Sequence, residues 1–214
     1  MLTTLLMMIV GAGAGAATPA VAARFGVAAR ARPWISVGTA AGAVLGWALA
    51  PGDLWVWAVT LAVGVPLAAI DLGAHRLPDA LVLPAVAAAV VVALVGGEPA
   101  AVAGGALSVT ACALLAVLPR SGLGFGDVKL AGLLGTALGL LGWAALAWGA
   151  ALAFVSGGVV AAVLMATGRA RRDTPLPFGP HMLAGALVVA VLSGEGVEQA
   201  VDVGGVVVEV WRRA

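Results

Sequence analysis

Gly124-Phe125-Gly126-Asp127-Val128-Lys129-Leu130 sets a carboxylate beside two glycines where a loop runs into an apolar segment. In such surroundings an isolated carboxylate costs several kcal/mol unless it is protonated, paired or reached by water, which makes it a candidate for chemistry. A second acid, Asp71, ends an earlier apolar run and opens the loop Leu72-Gly73-Ala74-His75-Arg76-Leu77-Pro78-Asp79. Two carboxylates arriving from different helices at one depth suit acid–base hydrolysis. Brought close, they cannot both ionise, so the pair holds one proton over a wide pH range and titrates as a unit. The charged member polarises a water and the neutral member protonates the departing group. Asp79 is an alternative first acid, although its place after Pro78 also suits a first-turn acid favoured by the helix dipole.

Elements able to hold these acids follow from composition. The 214 residues are 63% hydrophobic and 10% charged, against roughly 25% charged in an ordinary soluble domain. The chain therefore reads as all-α, a polytopic transmembrane helical bundle of about eight spans near 2–23, 34–50, 54–71, 80–96, 100–118, 128–141, 143–167 and 178–193. The breaks carry turn chemistry at Pro51-Gly52-Asp53, Gly96-Gly97-Glu98-Pro99 and Leu141-Gly142. The first run has no basic residues before it, so it reads as a retained helix rather than a cleaved signal. Residues 1–193 form one membrane domain, and 194–214 a polar tail with an interfacial segment around Val206-Val207-Val208 and Trp211.

With the N-terminus outside, Arg24, Arg30, Arg32, Arg76, Arg120, Lys129, Arg169, Arg171 and Arg172 all fall on one side. Asp53, Glu98, Glu195, Glu198, Asp202 and Glu209 fall on the other. The positive-inside rule makes the basic side cytoplasmic, and Asp71, Asp79 and Asp127 lie with it. No basic stripe is large enough for a nucleic-acid partner. His75 and His181 are the only histidines and Cys112 the only cysteine, so the usual metal-ligand clusters and disulfides are missing from the sequence, and no metal or cofactor is expected.

Three motifs occur in order at span ends. They are the Asp71 loop with His75-Arg76-Leu77-Pro78-Asp79 and Leu83-Pro84, then Gly124-Phe125-Gly126-Asp127-Val128-Lys129-Leu130, then Pro177-Phe178-Gly179-Pro180. Together they resemble the type IV prepilin peptidases, or leader peptidases, of the Gly-x-Gly-Asp membrane aspartic proteases. The resemblance covers about residues 54–193. It implies a metal-independent aspartic endopeptidase of the bacterial cytoplasmic membrane. Such an enzyme cuts the short basic leader from pilin-like precursors at the cytoplasmic face, in type IV pilus and protein-secretion systems. The family's two catalytic aspartates fall on Asp71 and Asp127. Many members carry an N-terminal insert with two Cys-x-x-Cys pairs, associated with N-methylation. With only Cys112, this chain is more like the short, single-activity form.

Around the acids, Gly124 and Gly126 have two readings. They admit unusual backbone angles and the close approach of a peptide substrate, or they form a flexible turn and a tight helix contact. Lys129 lies two residues past Asp127, nearly opposite on a helix, and suits snorkelling to lipid headgroups, while also raising the local positive potential; with Asp79 it is expected to bind substrate or shape the site. His75 and Arg76 read as a solvated loop. Pro177, Phe178 and Gly179 form a rigid turn into the last span and shape the site, with His181 as a structural neighbour. Trp34, Trp55, Trp57 and Trp143 suit interface anchoring. Two other functions compete. A transporter would use Pro66 and the many glycines to break helices, but it would place acids at midplane. A non-catalytic assembly component of a pilus or secretion machine would need no acid pair. A serine protease would need a pattern such as Gly-x-Ser-x-Gly, which is absent.

Overall fold

The computed structural model describes residues 1–118, 122–171 and 174–193. The tail expected over 194–214 lies outside the described residues. Those described form eight helices and no strand: α1 (Leu2–Ala23), α2 (Ala31–Ala48), α3 (Leu54–Ala74), α4 (Asp79–Val95), α5 (Pro99–Ala116), α6 (Phe125–Gly139), α7 (Trp143–Ala166) and α8 (Gly179–Leu192). Their ends agree with the expected apolar runs to within three residues. α1, α3, α5 and α7 are each long and apolar enough to cross a bilayer. They alternate along the chain with α2, α4, α6 and α8.

Consecutive helices pair as α1 with α2, α5 with α6 and α7 with α8. α6 lies at the centre, reaching α3, α4, α5, α7 and α8. Every residue from Leu130 to Leu138 is buried, as expected of a helix that is apolar on all sides. At 15 residues it is about 22 Å long, short of a full hydrocarbon core, and neighbouring helices enclose it. The buried hydroxyls of Thr18, Thr60 and Thr136 donate to the carbonyls of Ala14, Val56 and Gly132, each at 2.9 Å. None of these polar groups is left unpaired among lipid-like surroundings.

Small residues let α5 and α6 meet backbone to backbone. A Cβ on Gly139 would come within 2.9 Å of the Ala101 Cα and 3.0 Å of its carbonyl oxygen. Neither atom can move without moving α5. Gly139→Leu is therefore expected to destabilise the bundle by about 1–3 kcal/mol, read as a lower midpoint in detergent unfolding. An unchanged midpoint would mean that the two helices separate freely here.

One expected anchor is buried instead. Trp57 is 2% exposed, and its indole N–H has no hydrogen-bond partner among the described residues. Trp55 and Trp143 project outward as interface residues would. The difference is geometric: two residues along a helix turn a side chain through about 200°. Trp57 consequently faces inward on α3, the helix that packs against α1 and α2.

Candidate active site

Each acid sits where a helix begins or ends. α3 closes at His75, which adopts the left-handed conformation (φ 50°, ψ 43°), a region histidine enters more readily than most residues. The His75 N–H donates to the Asp71 carbonyl at 2.9 Å, so Asp71 lies in the last turn of α3. The chain then runs on to Pro78, which has extended angles (φ −66°, ψ 129°) and caps α4. Asp79 is the first residue of α4.

Asp127 occupies the third position of α6. Its Oδ2 accepts the Gly124 N–H at 3.1 Å, satisfying a donor that the start of a helix leaves open. Asp71 does the same across the fold: its Oδ2 accepts the Gly179 N–H at 2.9 Å, and Gly179 is the first residue of α8. Each carboxylate thus rests on the positive end of a helix, its own or a neighbour's. Both are buried, Asp71 to 4% exposure and Asp127 to 9%. Among the described residues no further hydrogen bond reaches either group, and Asp127 lies within electrostatic reach of Asp71.

Leu77, a member of the first motif with no chemical role of its own, joins α6 to α8. It is buried between the first turn of α6 and the start of α8. A Cβ on Gly126 would lie 2.9 Å from the Leu77 Cβ. A Cβ on Gly179 would lie 3.4 Å from the Leu77 Cδ2 and 2.9 Å from the Asp71 Oδ2. Proline after Leu77 supplied the available signal, since it holds the preceding residue extended and so aims this side chain across the gap.

Two expectations around the acids need correcting. Gly124 has ordinary extended angles (φ −77°, ψ 150°), and Gly126 has no positive φ. Close approach, not unusual backbone geometry, is what Gly126 provides. Lys129 does not extend alone toward headgroups: its Nζ binds the Asp79 Oδ1 at 2.6 Å. The reason is that α4 packs against α6, so a nearer anion is available.

The remaining residues frame the site. His75 and Arg76 are exposed, and an Arg76 guanidinium N–H donates to the Phe25 carbonyl at 2.8 Å, tying the loop to the α1–α2 connection. In the third motif, the backbone of Gly179 reaches Asp71, while Phe178 turns toward α7. Its ring lies 5.1 Å from that of Phe154 and 6.5 Å from that of His181. Phe178 also lines a small apolar cavity of about 50 Å³ with Cys112, Phe154 and Met182. Pro177 is half-buried ahead of this turn.

The arrangement presents two buried acids, each held by one oxygen to a helix-start N–H, beside a loop that ends in an ion pair. Comparisons with known proteins bear on the same region. Residues 58–167, just over half the chain, match the type IV leader peptidase family. That stretch includes Asp71, Asp79, Gly124, Gly126, Asp127 and Lys129, and stops short of Pro177. A protein named prepilin leader peptidase/N-methyltransferase from Burkholderia pseudomallei (strain 1026b) is 40% identical over 127 residues, covering 56% of this chain and 40% of that protein. The protein of the same name from Bacillus subtilis (strain 168) is 29% identical over 148 residues, 68% of this chain and 58% of its own length. That of Stutzerimonas stutzeri is 42% identical over 79 residues, 37% of this chain and 26% of its own. The chain thus spans less than two thirds of the length of these relatives. No solved structure matches it. On the family match, the chain belongs to the type IV leader peptidase family.

Proposed function

We propose that the chain is a membrane aspartic endopeptidase that removes the short basic leader from pilin-like precursor proteins, using Asp71 and Asp127 to activate water without a metal. The observation that carries this reading is the pair of buried carboxylates from α3 and α6, each anchored by Oδ2 to a main-chain N–H. Both lie inside the stretch that matches the family. The relatives' names supply the substrate class.

In the mechanism, one carboxylate is ionised and the other protonated. The ionised group takes a proton from a water as that water's oxygen bonds to the scissile carbonyl carbon. The protonated group then stabilises the developing oxyanion and delivers its proton toward the leaving nitrogen. The C–N bond breaks, leaving a carboxylate on the leader and an amine on the mature protein. Anchoring of each Oδ2 holds both carboxylates in orientation before substrate arrives. The bias of basic residues toward the side that carries these acids supports placing the site at the cytoplasmic face of the bilayer.

The test is co-expression with a pilin-like precursor. The precursor is expected to shift to its shorter form with the wild-type chain and to stay full length with Asp71→Asn or Asp127→Asn. A stably inserted wild-type chain that leaves several such precursors uncut would favour a non-catalytic assembly role or a transporter.

A further inference from the structure

The ion pair between Asp79 and Lys129 lies outside the chemistry just described, yet it joins the two segments that carry the acids. Lys129 is two residues past Asp127 on α6. Asp79 is the first residue of α4, eight residues past Asp71. The pair is short, with Nζ to Oδ1 at 2.6 Å, and incompletely shielded, the Lys129 side chain being 33% exposed and that of Asp79 58%. Isolated pairs this exposed add little to stability, so global folding is a poor explanation for it.

What the pair does locally is clearer. The loop that leaves Asp71 touches α6 at two points: Leu77 against Gly126 and Asp79 against Lys129. These contacts bracket Asp127 in the sequence of α6. The first is apolar and limits how closely the loop approaches. The second is attractive and limits how far it departs. Pro78 lies between them, with φ −66°, and stiffens the link. At its other end the loop is tied to α3 by the bond from the His75 N–H to the Asp71 carbonyl.

We propose that Asp79 and Lys129 are positioning residues: their ion pair holds the start of α4 to α6, and so sets the spacing of Asp71 and Asp127. This rests on the reading of those two acids as the reacting pair. Neither partner needs to touch substrate, and either sign order across the pair would serve.

The experiment uses the full chain in proteoliposomes with a pilin-like precursor peptide that includes its apolar stem. Asp79→Asn and Lys129→Met are each expected to lower kcat about tenfold, as misplacement of reacting groups does, with KM changed by less than about twofold. The charge-swapped double variant, Asp79→Lys with Lys129→Asp, is expected to recover kcat to within about threefold of wild type. Lys129→Arg should stay close to wild type, and it decides the matter if the swapped chain does not insert. The proposal is overturned if the inserted swap is as slow as the single variants, if Lys129→Arg is as slow as Lys129→Met, or if KM rises with kcat unchanged, which would make these residues substrate contacts. Asp71→Asn is run beside them. Full activity there would remove the reading of the reacting pair, whereas a failed swap with inactive Asp71→Asn removes only the positioning role.

Discussion

Asp127→Asn is expected to lower the cleavage rate by about 10³-fold or more while leaving insertion and folding intact. The amide keeps an oxygen that can accept the Gly124 N–H, now 3.1 Å from the Asp127 Oδ2, so the first turn of α6 keeps its cap. It cannot take a proton from water at neutral pH or deliver one to a leaving nitrogen. Asp71→Asn should behave alike, because its oxygen can still accept the Gly179 N–H. The two losses should not multiply. Once either group is gone the remaining one cannot complete the proton cycle, and the double variant should be about as slow as each single one. Cleavage rates of the three variants, measured at matched membrane content, check this. A double variant slower by the product of the single losses would mean that the acids act independently.

Gly126→Ala should give the second largest effect, about a 10²-fold loss of kcat from a single methyl. The added Cβ would meet the Leu77 Cβ at 2.9 Å, and the room to relieve that contact is limited on both sides. Leu77 is backed by Gly179, whose added Cβ would lie 3.4 Å from the Leu77 Cδ2. α6 is backed by α5, where a Cβ on Gly135 would sit 2.8 Å from the Gly104 carbonyl oxygen. Relief must therefore come from moving the first turn of α6, and Asp127 moves with it. Leu77→Ala in the same chain should restore part of the activity by making room, even though Leu77→Ala alone removes a buried side chain. Steady-state kinetics of the two single variants and the double variant check the coupling. Purely additive losses would show that Gly126 and Leu77 do not meet in the working protein.

The sequence reveals the helices more readily than their faces. α4 to α8 are apolar on nearly every side, so their ends can be read from glycine, proline and charge while their rotation cannot. Trp57 on α3 illustrates the same limit: nothing in Leu54-Trp55-Val56-Trp57 says which tryptophan turns inward, and packing of α3 against its neighbouring helices decides it. Asp71 and Asp127 were legible because a carboxylate in an apolar run is costly and therefore conspicuous. Leu77 is legible only through Pro78, which marks the residue before it as extended; one leucine among many carries no chemical signal of its own. Helical periodicity separates Lys129 from Asp127 and so points it toward lipid. Its true partner, Asp79, comes from another helix, which periodicity within one element cannot disclose.

Direct attack of water on a peptide bond, driven by Asp71 and Asp127, is tested by a single-turnover reaction in heavy-oxygen water. The purified full chain in proteoliposomes would be mixed with a precursor peptide and the products weighed by mass spectrometry. Expected are one cut ahead of the apolar stem, one heavy oxygen in the new carboxylate of the leader, no mass added to the protein, and no product from Asp127→Asn. A leader without heavy oxygen, a covalent adduct on the protein, or equal product from a folded Asp127→Asn chain would contradict it.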